Sequence, residues 1–223
     1  MTHLDLGSET LPASPSRRTS WLYLRYGKRA LDVAIALLIL PVVAPLIAII
    51  CLMTRLDGHA GLFGHTRIGQ EGKPFTCWKI RTMVPDAEAR LAAHLASNPN
   101  AAGEWAKTQK LQDDPRTTRL GRVLRRTSLD ELPQIWNVLR GDMSLVGPRP
   151  VTAKELERYG PLAPVYLSLR PGITGQWQIH GRRSGCYDER LKLDQLYAAQ
   201  IGPWRDLVLI AATVLVVFWP TGN

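Results

Sequence analysis

The 223 residues hold 28 Lys and Arg against 19 Asp and Glu, a formal net charge of +9 that suits anionic lipid headgroups and phosphate-rich ligands and would also suit nucleic acid. Three cysteines, Cys51, Cys77 and Cys186, make no Cys-x-x-Cys spacing, which argues against a disulfide framework and a zinc site and points to a reducing compartment. The histidines, His3, His59, His65, His94 and His180, show no metal-ligand spacing, and no chemistry is assigned to them.

Residues 1–20 are rich in Ser, Thr, Pro and Arg without apolar periodicity and read as a disordered tail. From Val33 to Met53 runs VAIALLILPVVAPLIAIICLM, about 21 uncharged residues, long enough as a helix to cross a bilayer core of roughly 30 Å. Two features argue against a simple crossing. Pro41 and Pro45 lie inside the run, each costing up to about 3 kcal/mol in a helix interior. Basic residues flank both ends, Arg17, Arg18, Arg25, Lys28 and Arg29 upstream and Arg55, Arg67 and Lys73 downstream, so the charge bias that orients a spanning helix is nearly absent. The expectation for 21–57 is a re-entrant helix, broken near Pro45, with both ends on the cytoplasmic face. A cleaved signal peptide is not expected, given the length and late start of the run. Residues 58–223 are expected to form a cytosolic domain.

Gly58 to Pro74 is Gly-rich and turn-like; Phe75 to Arg81 then alternates as a short strand with Lys79 and Arg81 on one face. Two cations so placed can hold a diphosphate, or can be a solvated strand edge. Asp86 to Ala96 predicts an amphipathic helix with Ala87, Leu91 and Leu95 inward, interrupted at Asn98-Pro99-Asn100, with a second helical piece over Glu104 to Leu111. These helices serve as scaffold or lid.

Thr127-Ser128-Leu129-Asp130-Glu131-Leu132-Pro133 places two adjacent carboxylates directly after Arg125 and Arg126. Ser128 and Glu131 have capping-box spacing, and Leu132, Ile135, Trp136 and Leu139 recur at helical intervals up to Gly141. Asp130 is thus expected in the first turn of a helix, where free N–H groups and the helix dipole favour the ionised, nucleophilic carboxylate. The same pattern is also a plain helix-start signal. Gly147-Pro148-Arg149-Pro150 fixes Arg149 between two prolines, as a pre-ordered guanidinium clamp for phosphate would require; Arg170-Pro171-Gly172-Ile173-Thr174-Gly175-Gln176-Trp177 repeats the theme of a rigid loop beside an arginine. Each loop alone is equally well a structural turn. Leu207 to Trp219 is too short to span and reads as a helix at the membrane interface, with Trp204 and Trp219 at headgroup depth, or as a core helix.

Taken together, Lys28-Arg29-x-x-Asp32 before a proline-containing apolar run, Arg67-x-Gly69, Lys79-Ile-Arg-Thr-Met83, Thr127 to Pro133, Gly141 to Pro150 and Arg170 to Gly175 closely resemble the bacterial sugar transferases over about residues 22–220. These are the monotopic polyprenyl-phosphate phosphoglycosyl transferases, and the chain is most similar to the exopolysaccharide-initiating undecaprenyl-phosphate galactose or glucose phosphotransferases. The resemblance implies an α/β, mostly helical, single membrane-associated domain with an N-terminal re-entrant helix and an interfacial C-terminal helix, located monotopically on the cytoplasmic face of a bacterial inner membrane. It implies a UDP-sugar donor, a polyprenyl phosphate acceptor, UMP release, Mg2+ and a covalent phosphosugar intermediate. Carried onto this chain, Asp130 matches the nucleophile and Glu131 its partner, the two together holding metal. Arg125 and Arg149 match phosphate-binding arginines, and Lys79, Arg81, Gly147, Pro148, Arg170 and Gly175 match further substrate-binding positions. Ala44-Pro45 departs from the usual Ser-Pro; His65 stands where glutamine is frequent, and His180 where asparagine or serine is. Anionic membrane lipids are further expected partners, and a homo-oligomer is compatible with this reading. A non-catalytic basic membrane scaffold is the alternative. A membrane-anchored nucleic-acid binder lacks support, since the chain shows no helix-turn-helix and no clustered basic-aromatic stretch.

Overall fold

The computed structural model describes residues 22–56, 60–108, 111, 113–180 and 187–218; the expected N-terminal tail lies outside them. The apolar run forms α1, Lys28–Leu56, entered through a π-helical turn at Tyr23–Gly27. Pro41 and Pro45 lie inside α1, and the expected break near Pro45 is absent: the helix is continuous through both. Each proline withdraws one donor, from the carbonyls of Leu37 and Pro41, but the flanking aliphatic residues on either side keep their own helical bonds. Tyr23–Arg55 is the one stretch among the described residues long and apolar enough to cross a membrane.

What α1 touches is more informative than its length. Near its start, the Arg29 guanidinium donates to the carbonyls of Val138 and Leu139, and Asp32 accepts from the Leu145 N–H at 3.0 Å. Further along, Leu31, Ile35, Leu40, Val43 and Ile47 pack on the main core around Ile135, Val138, Leu145 and Leu209. Ile50, near its end, packs with Ile80 and Leu124. Lys28 and Ile50 are separated by about 33 Å along a helix axis, yet both contact the same body. The helix lies along the domain, with Leu38 and Val42 of its outer face 77% and 73% exposed.

After α1 come β1, Leu62–Ile68, and β2, Pro74–Ile80, an antiparallel hairpin in which Leu62 pairs with Ile80 and Ile68 with Pro74. The sequence reading expected β2 and took the β1 region for a turn. No position of β1 is fully buried, so it lacks the inward-outward alternation by which a strand is recognised. The helices α2, Ala87–Ser97, and α3, Pro99–Thr108, follow. Ala87, Leu91 and Leu95 do mark the less exposed face of α2, although none is fully buried. Helix α3 starts earlier than expected, because the Asn98 side chain accepts from the N–H groups of Asn100 and Ala101 and Pro99 needs no donor at a helix start.

The basic helix α4, Arg119–Thr127, is capped by Thr118 and buries Gly121 and Leu124. A Cβ on Gly121 would collide with the Thr82 carbonyl, so α4 approaches the end of β2 at backbone contact. A 3-10 turn at Leu129–Glu131 leads into α5, Gln134–Arg140. The fully buried Asn137 of α5 donates to the Thr76 carbonyl at 2.8 Å and accepts from the Trp78 N–H at 3.1 Å, fixing α5 against β2. Strand β3, Ser144–Val146, pairs in parallel with β4, Gly172–Thr174. The remaining helices are α6, Ala153–Glu157, α7, Ala163–Leu167, α8, Gln176–His180, α9, Tyr187–Ala199, and α10, Pro203–Phe218.

Helix α10 has a buried side and an exposed apolar side. It buries Asp206 and Leu209, and it exposes Trp204, Leu207, Val208, Val214 and Leu215; Trp219 lies outside the described residues. Its buried anchor is ionic. Lys28 contacts Asp206 at 2.6 Å and donates to Tyr197 at 3.0 Å, while the hydroxyls of Tyr23 and Tyr197 donate to Asp206 at 2.6 and 2.8 Å.

Removing one member of such a pair strands the other charge in the interior, at a cost of about 3–5 kcal/mol. Asp206→Ala should therefore melt well below the wild type in detergent. The charge-free double variant Lys28→Met/Asp206→Leu should recover part of the loss, and equal melting temperatures for single variant and wild type would contradict the role given to the anchor.

Candidate active site

The carboxylates do not sit as the sequence reading placed them. Ser128 closes α4 in the left-handed region, at φ 58°, and its side chain forms no cap to the following turn. Asp130 and Glu131 belong to the short 3-10 turn between two helices, and the next helix begins only at Gln134. The capping-box and helix-dipole account of Asp130 is thereby corrected. Pro133 is the physical reason: without an N–H it serves as the entry to α5, pushing the helix start beyond the acidic pair. Left-handed geometry at a non-glycine residue costs on the order of 1–3 kcal/mol, and here it turns the chain so that Asp130 faces inward, only 8% exposed.

Cations replace the dipole. Lys79 of β2 bonds to Glu131 Oε1 at 2.6 Å and stands 4.0 Å from Asp130 Oδ2. Arg149 Nη2 lies 3.5 Å from the same Glu131 oxygen. Burial raises the Asp130 carboxyl above the usual carboxylate range, and neighbouring Glu131 adds to this, while Lys79 and Arg125 pull it back down. The outcome is a carboxylate kept poorly solvated beside cations. Arg125 is held by its Nε to Thr82 Oγ1 at 2.9 Å and by Nη1 to Thr117 Oγ1 at 3.3 Å, two hydroxyls that the sequence reading did not single out.

The Arg149 loop is shaped by close backbone approach. A Cβ on Gly147 would meet the Arg170 carbonyl, one on Gly172 would meet the Gly147 nitrogen, and one on Gly175 would meet the Gly147 carbonyl. Gly147, Pro148 and Gly175 are therefore placed as the frame of the loop: the Gly147 N–H donates to Thr174, and the buried Pro148 accepts from the Gly172 N–H at 2.8 Å. Arg170 donates to the Gly141 carbonyl at 3.0 Å. Arg81 falls just past the end of β2, and its guanidinium lies over the Phe63 ring at 5.3 Å.

Three further groups steady Arg149. Its carbonyl accepts from Arg190 Nη2 at 2.8 Å, its guanidinium lies 5.9 Å from the Trp177 ring centroid, and Arg67 reaches the neighbouring Pro150 carbonyl at 3.4 Å and Glu155 at 2.8 Å. Arg190 is itself packed among Tyr159, Trp177 and Tyr187, with Asp194 at 3.8 Å. Burial pushes the Asp194 carboxyl up to about 6, against the Tyr159 hydroxyl bond that lowers it. A lone buried arginine thirteen residues past Trp177 carries no local motif, which is why spacing could not find it.

Among the described residues no group of three or more His, Cys, Asp or Glu assembles. Magnesium takes oxygen ligands and commonly binds through one or two carboxylates, completing its shell with water and substrate phosphate. Asp130 and Glu131 fit that partial donor set and do not form a cage of their own.

Residues 23–220 match the family profile described as bacterial sugar transferase. The chain is 44% identical over 193 residues to the undecaprenyl-phosphate galactose phosphotransferase of Salmonella typhimurium, covering 86% of this chain and 40% of that protein. It is 45% identical over 197 residues to the exopolysaccharide production protein ExoY of Sinorhizobium fredii, covering 88% and 87%. It is 37% identical over 223 residues to the UDP-glucose:undecaprenyl-phosphate glucose-1-phosphate transferase of Caulobacter vibrioides, covering 95% and 78%. The chain thus spans about two fifths of the Salmonella relative's length and most of the length of the other two. A profile running through nearly all of the folded chain, from the start of the membrane-type helix to the last apolar helix, means that this chain belongs to the bacterial sugar transferase family.

Proposed function

We propose that this chain transfers a phosphosugar from a UDP-sugar to a polyprenyl phosphate at the cytoplasmic face of a bacterial inner membrane, the opening step of exopolysaccharide or related glycan assembly. The observation that carries this reading is the buried Asp130–Glu131 pair beside Lys79 and Arg149, on a body that meets the apolar helix α1 along its length. A sugar nucleotide is water-soluble and its acceptor is not. A reacting centre on a domain lying along its own membrane helix lets both arrive.

In the first half, an ionised Asp130 oxygen attacks the β-phosphorus of the UDP-sugar. A P–O bond forms, the bond from that phosphorus to the oxygen bridging the two phosphates breaks, and UMP leaves with that oxygen and its electron pair. In the second half an oxygen of the polyprenyl phosphate attacks the same phosphorus, and the Asp130 carboxylate departs, leaving the sugar on a lipid diphosphate. Lys79 and Arg149 lie where they can offset the phosphate charge that would otherwise repel Asp130. Magnesium held by Asp130 and Glu131 would supply further neutralisation of the diphosphate. The membrane placement is monotopic in this reading, which is supported by the contacts that one domain makes with α1 both near Arg29 and at Ile50. Glu131 acts as the anchor of Lys79 and Arg149.

Incubation with a UDP-sugar and Mg2+ without lipid should yield a phosphosugar adduct by intact mass, mapped by peptide sequencing to Asp130. Asp130→Asn should form no adduct and release no UMP. An adduct on a different residue would falsify the mechanism.

The same substitution should leave the melting temperature at pH 7.5 equal to or above the wild type. Burial raises the folded-state pKa of Asp130, so its stabilising contribution is full below the unfolded pKa and is lost as pH rises through the folded one. At neutral pH the carboxylate is the penalised form and asparagine escapes the penalty. The difference should shrink as pH is lowered toward 4, and a melting temperature several degrees below wild type at pH 7.5 would contradict the account.

Because the nucleophile must be ionised, kcat/KM should fall as pH drops through the raised pKa of Asp130, above the range of an exposed aspartate near 3.9. Lys79→Met removes the main influence lowering that pKa and should move the acid limb further up. A limb that stays in place, or moves down, would mean that another group titrates.

Arg149→Lys retains charge and loses the planar guanidinium that reaches Glu131 while lying over Trp177. Turnover should drop at least tenfold in a UMP-release assay. Kinetics within twofold of wild type would take Arg149 out of the phosphate site.

A further inference from the structure

Gln178 of α8 is 6% exposed, yet neither its amide nitrogen nor its carbonyl oxygen has a hydrogen-bond partner among the described residues. A buried carboxamide ordinarily finds partners, so an unpaired one asks for an explanation. It lines a cavity of about 280 Å3 between α1 and α10, walled by Ile35, Ile39 and Val43 on one side and by Ile210 and Val214 on the other, with Ser128 and Glu131 at its polar end. Ile39 and Val214 are themselves partly exposed on the outer faces of their helices, which gives the cavity an apolar side as well as a catalytic one.

No lysine or arginine lines this space. A nucleoside diphosphate sugar carries more charge than this space can pair, since its lining is mostly aliphatic and its polar groups are one carboxamide, a few hydroxyls and Glu131, whereas Lys79 and Arg149 approach the acidic pair from elsewhere. An aliphatic chain ending in one phosphate matches this lining better: aliphatic walls along its length, the Gln178 amide and the hydroxyl-bearing Thr127 and Ser128 as polar groups for its head, and a route from α1 and α10 to the reacting carboxylates. We infer that this cavity seats the first isoprene units of the polyprenyl phosphate acceptor, with the Gln178 amide donating to an oxygen of its phosphate. This inference rests on the functional reading above and assigns donor and acceptor to opposite sides of the Asp130–Glu131 pair.

The test uses the full chain in lipid nanodiscs. UMP release is measured against graded polyprenyl phosphate and, separately, against graded UDP-sugar, for wild type, Gln178→Leu, Ile39→Trp and Val42→Trp. Val42 is exposed on α1 and does not line the cavity, so its variant controls for bulk at the membrane face. The KM for polyprenyl phosphate should rise at least tenfold in Gln178→Leu and Ile39→Trp, with the KM for UDP-sugar and the lipid-free adduct within twofold of wild type, and Val42→Trp should match wild type throughout. Wild-type protein carrying a benzophenone-tagged polyprenyl phosphate should crosslink within residues 35–43 or 210–214, a readout that needs no variant to fold. Acceptor KM values within twofold of wild type in both cavity variants, a parallel rise in both substrates' KM, or crosslinking displaced as readily by phosphatidylglycerol as by polyprenyl phosphate would each overturn the assignment. Active wild type with unaffected variants removes this inference alone; wild type that yields neither UMP nor adduct removes the functional reading beneath it.

Discussion

The constraint on which the arrangement depends is that α1, apolar enough for a membrane, stays in contact with one polar body from Arg29 to Ile50. A helix buried in lipid gains nothing further by burying apolar surface against protein, so polar fixtures must supply the specificity of the seam. The Arg29 guanidinium on the carbonyls closing α5, Asp32 on the Leu145 N–H, and Lys28 on Asp206 are such fixtures. They orient the two segments, α5 and β3, that border the acidic turn and the Arg149 loop. Loosening the seam would therefore move the acidic turn and the Arg149 loop relative to α1 and relative to one another.

Electrostatics in the site follow from the same geometry. Asp130 is pulled out of water by the turn that carries it, and the cations that make its charge tolerable stand on separate elements, Lys79 on β2 and Arg149 on the loop after β3. Glu131 takes the short contacts with both cations, while Asp130 keeps a longer one at 4.0 Å. The tighter pairing falls on Glu131, leaving the buried Asp130 less committed to any one cation.

What the sequence could and could not convey divides along physical lines. Strand β2, helix α2 and the apolar run were legible, because periodicity and length report on local backbone. That the acidic pair and Arg149 form one cluster has a sequence signal too, since two adjacent carboxylates near arginines and an arginine between prolines are unusual in any setting. The local conformation of Asp130 was misread: Ser-x-x-Glu matches a capping box, but whether a helix starts there depended on Pro133 and on how α4 ends. Arg170, which reads like a second Arg149, bonds to Gly141 because the glycine contacts of β3 and β4 direct its loop inward. Strand β1 escaped notice since it is exposed, and Arg190, Asp194 and Asp206 because buried charges reveal themselves only once distant segments are brought together.

The placement of strain and unpaired polarity follows a common logic. Ser128 in a left-handed conformation, Asp130 with its raised pKa and Gln178 without a partner among the described residues each cost folding free energy that a mutation could recover. All three border the same small region, the turn and the cavity beside it. Such costs persist where the surrounding structure over-determines them, and here the surroundings are the Asn137 crosslink, the glycine contacts of β3 and β4, and the ionic anchor of α10. Stability elsewhere in the chain thus underwrites a region left unfavourable when empty, and binding of charged or hydrogen-bonding ligands is what would relieve it.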